Sequence, residues 1–240
     1  MKRVFGSLRA LPAAILLSGL SAACCTAAAP AGTIKKQPAA TPAASDRWEQ
    51  TIRAFEAQDR KSAPAQGGIV FAGSSSIRLW KLAESFAGLP AINRGFGGSE
   101  LVDSVRYADR IVIPYRPRIV VLYAGDNDLA SGKSPERVSA DFKQFVAKVH
   151  AALPKTRIIY IGIKPSVSRW KLIDKIRDTN RRIKDFATAD PRLVFIDVER
   201  SILGPDGKPR PELFQPDGLH LNAAGYRLWA DLVRPHLRLE

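Results

Sequence analysis

Ser75 stands in Gly73-Ser74-Ser75-Ser76-Ile77-Arg78-Leu79-Trp80, a glycine turn that follows a β-branched run and opens into a helical pattern. A hydroxyl in such a place could attack a carbonyl carbon, and its own N–H, free at a helix N-terminus, could bind the oxyanion that the attack creates. N-capping is the plainer use of a serine there. Ser74 and Ser76 flank it closely enough to leave open which of the three attacks. The segment is not the Gly-x-Ser-x-Gly elbow of α/β-hydrolases, because Ile77 stands where the last glycine would be. A serine nucleophile needs a base, and Asp217-Gly218-Leu219-His220 offers one. An imidazole takes a proton near neutral pH, and a carboxylate that accepts from its other ring nitrogen fixes the tautomer. His150 and His236 lie within or at the end of helical patterns and have no acid so placed.

Two further segments could bind a developing negative charge. In Asn93-Arg94-Gly95-Phe96-Gly97-Gly98-Ser99 the glycines allow a tight turn that brings a backbone N–H close to a ligand, although turn-making alone also explains them. They are not a dinucleotide fingerprint, since Glu100 occupies the third glycine position of Gly-x-Gly-x-x-Gly. In Gly125-Asp126-Asn127-Asp128 the carboxamide of Asn127 could donate to an oxyanion, or Asn127 could simply make a turn. The two acids beside it suggest no metal, because no histidine lies near and the calcium-loop pattern is absent.

Such residues work only if regular elements bring them to one place. Short β-branched runs at 69–72, 91–94, 118–123, 157–163 and 192–196 predict five strands. Between them lie amphipathic stretches that predict helices. Trp48, Ile52 and Phe55 make one apolar face behind a cap at Ser45 or Asp46. Ser134-Pro135-Glu136 opens a helix that carries Val138, Phe142, Phe145 and Val149 and ends before Pro154. Ile173, Ile176, Ile183 and Phe186 lie on another that stops at Asp190-Pro191, and Asn222 begins the last, with Tyr226, Trp229 and Val233 on one side. Alternating strands and helices predict an α/β fold with a parallel sheet covered on both faces. Ligands of such sheets bind beyond the carboxyl ends of the strands. The segment after the fourth strand, with Lys164, Arg169 and Trp170, should therefore reach the same rim. It is either a pocket wall, with Trp170 stacked on substrate and Lys164 or Arg169 on an acidic or hydroxyl-rich group, or a surface loop with Trp170 on the core and both cations solvated.

A strand-end serine, a strand-end glycine turn, a strand-end asparagine and an Asp-x-x-His before the last helix occur here in that order. The set resembles the SGNH hydrolases, also called the GDSL family, over about residues 67–237. The string Gly-Ser-Ser-Ser-Ile-Arg-x-Trp looks like a bacterial branch of it. The resemblance implies a flavodoxin-like three-layer α/β/α sandwich with a five-stranded parallel sheet of order 2-1-3-4-5. It also implies an esterase without a cofactor, in which Ser75 is the nucleophile, His220 the base and Asp217 its orienting acid. The N–H groups of Ser75 and Gly98 and the Asn127 side chain would form the oxyanion hole. The sequence departs from the family pattern in reading Gly73-Ser74-Ser75 for Gly-Asp-Ser and Asp126-Asn127-Asp128 for Gly-Asn-Asp. The expected substrates are small-acyl, O-acetyl esters of envelope or extracellular glycans. A lysophospholipase or thioesterase of the same fold, or a non-catalytic envelope binding protein, is the alternative.

The N-terminus has the pattern of an export signal over residues 1–29: Lys2, Arg3 and Arg9 come before an apolar run from Leu11 to Leu20, and small residues follow. Cleavage after Ala29 would give a periplasmic or secreted protein. Lipoprotein cleavage at Cys24 or Cys25, the only cysteines, would instead leave a lipid anchor. Either way the folded body lacks cysteine, so neither a disulfide framework nor a thiolate metal site is available to it. Residues 30–44, rich in Pro, Ala, Thr and Lys, read as a flexible linker, with the hydrolase domain at 45–240. The formal charge is +14, and losing the three signal cations leaves +11. The bases are scattered without a long block, which speaks for a solvated basic surface and against nucleic-acid binding.

Overall fold

The structure, a computed structural model, describes residues 47–239, all within the compact unit Pro42–Glu240. The expected export signal, Cys24, Cys25, the linker at 30–44 and the cap at Ser45 or Asp46 lie outside the described residues.

The β-branched runs become β1 (Ile69–Gly73), β2 (Ala91–Gly95), β3 (Ile119–Tyr123), β4 (Arg157–Ile161) and β5 (Leu193–Ile196). All pair in parallel, in the order β2-β1-β3-β4-β5. This is the expected topology, with bounds shifted by a residue or two. β4 stops short of the expected Ile163 because that residue's N–H and C=O both bond to the Asn180 carboxamide, at 2.8 and 2.9 Å.

Side chains alternate between the two faces, as the pleat requires. Val70, Val120, Leu122, Ile158 and Tyr160 enter one buried cluster, and Ile69, Phe71, Val121, Tyr123 and Ile159 the other. The first cluster is completed by helices α1 (Glu49–Lys61), α4 (Leu101–Ile111), α6 (Pro135–Ala152) and α7 (Ile173–Ala187). They contribute Ile52, Ile111, Phe142 and Ile183. The second is completed by α2 (Ser75–Arg78), α3 (Leu82–Ser85) and α9 (Ala223–Val233), through Ile77, Leu82 and Trp229. The short helices α5 (Asp126–Ala130) and α8 (Glu199–Ile202) follow β3 and β5. Both sheet faces are thus covered, which parallel sheets need.

Polar contacts fix two elements that border the site. α1 begins after Trp48 and is clamped by Arg110, whose guanidinium reaches Glu49 at 2.7 Å and Glu56 at 2.6 Å. Buried Arg94 and Tyr115 both meet Asp59 at 2.5 Å on the same helix. α9 is capped by Asn222, whose Oδ1 accepts from the N–H groups of Ala224 (2.9 Å) and Gly225 (3.2 Å). α4 was not anticipated from the sequence. Its N-cap is Glu100, paired with Asp103 in a reciprocal capping box.

Candidate functional site

In a parallel sheet every strand delivers its carboxyl end to one edge, and there β1, β2 and β3 set down Ser75, Gly98 and Asn127. Gly73 makes the first of these turns. Its φ is +125°, and a Cβ on it would lie 1.9 Å from the Tyr123 carbonyl oxygen, so only glycine fits. The next residues wind into α2. Ser74 and Ser76 turn inward, fully buried, and no described residue hydrogen-bonds to either Oγ. Ser75 is half-buried and its Oγ lies 3.0 Å from His220 Nε2. Of the three serines, it alone touches the imidazole.

His220 reaches Ser75 from a turn pinned at both ends. Phe214 pairs with Leu221 in an antiparallel bridge, and Asn222 Nδ2 donates to the Phe214 carbonyl at 3.0 Å. Within the turn, Asp217 Oδ2 lies 2.5 Å from His220 Nδ1, while its Oδ1 accepts from the N–H groups of Leu219 (2.9 Å) and His220 (3.0 Å). Burial pushes the Asp217 carboxyl up, but the hydrogen bonds from the His220 ring and these two N–H groups outweigh it and hold the pKa down to about 2. Asp217 is therefore ionised at neutral pH, as a partner for imidazolium must be.

Around Ser75 lie the expected donors. As the first residue of α2, it has an N–H without an acceptor in its own helix. Gly98 has φ +75° and lines the same cavity, of about 540 Å3, as Ser75, His220 and Asn127. Asn127 is held on both sides: Nδ2 donates to the Ser99 carbonyl at 2.9 Å, and Oδ1 accepts from Arg169 Nη2 at 3.0 Å. A guanidinium has no acceptor, so the carboxamide oxygen must face Arg169 and the nitrogen the other way.

The segment 164–170 departs from both expected readings. Lys164 is neither a pocket wall nor solvated. It is buried, its Nζ 3.1 Å from the Tyr123 hydroxyl and 3.6 Å from Asp126, and burial lowers its pKa. The strand end drops it under the rim, where Asp126 compensates its charge. Arg169 does line the cavity, but it spends its guanidinium on Asn127 and, at 3.1 Å, on Asp126. Trp170 is not among the residues that line the cavity; it opens a 3-10 helix and is half-buried, with Lys208 Nζ 4.6 Å from its ring centre.

The acids beside Asn127 have structural partners. Asp126 holds Arg169. Asp128 accepts from the Leu101 N–H at the start of α4 and meets Lys133 at 2.8 Å. Among the described residues no group of three or more His, Cys, Asp or Glu could hold a metal ion, and no helix is long and apolar enough to cross a membrane. The sequence reading missed Trp48, Thr51, Arg78 and Leu219, which also line the cavity. Trp48 stands just before α1, packed on the core, and gave no other signal. Arg78 lies inside the Gly73-to-Trp80 string itself, one turn beyond Ser75.

The GDSL-like lipase/acylhydrolase family model matches residues 72–228. No curated protein matches the chain. Solved structures do. A GDSL-like lipase from Bacteroides thetaiotaomicron is 20% identical with a TM-score of 0.67, the match covering 78% of this chain and 96% of that one. A carbohydrate esterase family 3 protein from Talaromyces cellulolyticus is 19% identical with a TM-score of 0.58, covering 72% and 96%. A variant of an acetyl-xylooligosaccharide esterase from Geobacillus Stearmophilus is 15% identical with a TM-score of 0.58, covering 74% and 97%. At these identities the likeness is one of fold.

Proposed function

Because the chain belongs to the GDSL-like lipase/acylhydrolase family, we propose that it hydrolyses carboxylic esters with Ser75 as nucleophile, His220 as general base and Asp217 as the carboxylate that orients it. The observation that carries this is the unbroken chain Ser75 Oγ, His220 Nε2, His220 Nδ1, Asp217 Oδ2, at 3.0 and 2.5 Å. Ser75 Oγ attacks the ester carbonyl as its proton moves to His220 Nε2. The imidazolium, stabilised by Asp217, then returns the proton to the leaving alcohol. Water activated by the same nitrogen releases the acyl group from Ser75. The oxyanion is met by the N–H groups of Ser75 and Gly98 and by Asn127 Nδ2, donors fixed before substrate arrives.

The preferred substrates in this reading are small-acyl, O-acetyl esters of envelope or extracellular glycans, reached by a protein exported through its first 29 residues. Two features support it. Among the described residues the cavity has Trp48 and Leu219 as its large apolar residues, too little to bury a long acyl chain. Fold neighbours include a carbohydrate esterase and an acetyl-xylooligosaccharide esterase. The test joins two measurements. A fluorophosphonate should label Ser75, and p-nitrophenyl esters should be cleaved fastest at acetate, slowing with chain length. Ser75→Ala should lose both labelling and turnover at unchanged Tm. Turnover that survives in Ser75→Ala would overturn the assignment, and a maximum at octanoate or beyond would overturn the small-acyl preference.

A further inference from the structure

Two arginines, Arg78 and Arg169, line the candidate catalytic cavity, and among the described residues no Asp or Glu does. Arg169 shares the Asp126 carboxylate with buried Lys164. Arg78 is exposed and pairs with no carboxylate among the described residues. Its guanidinium lies against the glycine turn: a Cβ on Gly97 would lie 2.8 Å from Arg78 Nε, so only a residue without a side chain leaves it this place. The next residue is Gly98, with the N–H assigned above to the oxyanion. A second guanidinium, that of Arg47, stands near the same turn. Its Nη2 is 3.4 Å from where a Gly98 Cβ would be, and it lies 4.4 Å from the centre of the Trp48 ring.

We propose that Arg78 forms an anion subsite beside the oxyanion turn, and that the substrates are acetyl esters of sugars that carry a carboxylate or phosphate on the alcohol part. This rests on the esterase reading above. An acetyl group has no room for a charge, so the anion must sit on the alcohol. A guanidinium offers paired N–H donors that match either anion two-pronged, and Trp48 lines the same cavity, its ring edge 3.4 Å from where a Gly98 Cβ would be, as an apolar contact for the sugar. The charge of Arg78 is free to act at a distance as well, drawing acidic substrates towards Ser75 in a manner that salt weakens.

The test uses three acetylated methyl hexosides that differ at C6, bearing hydroxymethyl, carboxylate or phosphate, with kcat/KM measured for wild type, Arg78→Gln and Arg78→Lys. Wild type should prefer the anionic esters by about tenfold at low ionic strength, since a charge-assisted hydrogen bond supports a preference of that order. The preference should shrink as salt is raised, fall to about one in Arg78→Gln and persist in part in Arg78→Lys. Preference for only one of the two anions identifies the source and supports the subsite. Equal kcat/KM on all three hexosides, no turnover of any of them, or a preference that survives Arg78→Gln overturns it. Each of those results, with p-nitrophenyl acetate still cleaved and Ser75 still labelled by a fluorophosphonate, leaves the esterase reading standing. Loss of both signals in wild type overturns the esterase reading itself.

Discussion

Asn127, proposed as an oxyanion donor, has its position set by its neighbours. Arg169 holds its oxygen, Asp126 Oδ1 accepts from its N–H at 3.0 Å, and Asp126 in turn holds Arg169 from one side and meets buried Lys164 at 3.6 Å on the other. Removing one donor from an oxyanion hole costs on the order of 100- to 1,000-fold in kcat, which bounds what Asn127→Ala should do on p-nitrophenyl acetate. Arg169→Ala frees the carboxamide to turn without deleting it, so it should lower kcat by about tenfold on neutral and anionic esters alike. In the Asn127→Ala background it should cost almost nothing more, because its effect passes through that side chain. A full additional loss in the double variant would show that Arg169 acts on something else. The sequence singled out Ser75, Gly98, Asn127, Asp217 and His220, because each stands in a short segment whose chemistry is local. It misjudged Lys164 and Trp170 because burial and direction depend on neighbours from β3 and the 205–210 turn, which no local spacing reveals.

The elements themselves were legible where apolar period and punctuation coincided. All five strands could be read, as could α6 with Ser134 as cap and Pro135 at its first position, and α9 behind Asn222. α4 was missed because its cap is Glu100 with Asp103, not the Ser or Thr that usually marks a capping box. α2 and α3 are too short to show a period. The turn from β1 into α2 carries Ser75, the proposed nucleophile, and two substitutions test what positions it. Gly73→Ala forces a Cβ into the Tyr123 carbonyl at φ +125°, so it should destabilise by about 3 kcal/mol or more, near the upper end for a single substitution. Asn222→Ala removes the cap of α9 and two anchors of the His220 turn, and should cost about 1–2 kcal/mol in chemical denaturation. A Gly73→Ala protein with wild-type stability would mean that the β1–α2 turn relaxes freely.

For the molecule as a whole, carboxyl groups set the response to acid. The Arg110 hydrogen bond, helped by Arg53, holds Glu49 down to about 2 from an ordinary 4.5, and Arg192 holds Asp190 down to about 2 from 3.8. Asp217 is likewise at about 2. A carboxyl depressed on folding binds fewer protons in the folded chain than in the unfolded one, so its contribution is complete above about 4.5 and is lost as pH falls towards 2. Asp128 has the opposite sign. Burial, only partly offset by Lys133, pushes it up to about 6, so the folded chain takes up a proton between about 6 and 3.8 that the unfolded chain does not, and acid favours folding there. Asp128 therefore adds stability as pH falls from 6 towards 4, opposed by His236, which burial holds below its ordinary 6.5, while Glu49, Asp190 and Asp217, joined by Glu56, Glu100, Glu136 and Asp178, whose carboxyls are also held below the ordinary value, remove it below about 4.5. The formal charge of +14 works with these depressed carboxyls, since every proton gained in acid adds repulsion to a chain already basic. The urea midpoint should thus be level or rise slightly from pH 6.5 to 5, then fall steeply between 4.5 and 2. Asp128→Asn should abolish the slight rise and leave the fall. Asp217→Asn should make the fall shallower and abolish esterase activity. A midpoint that keeps rising down to pH 3 would show that the ion pairs of Glu49, Asp190 and Asp217 contribute nothing to folding.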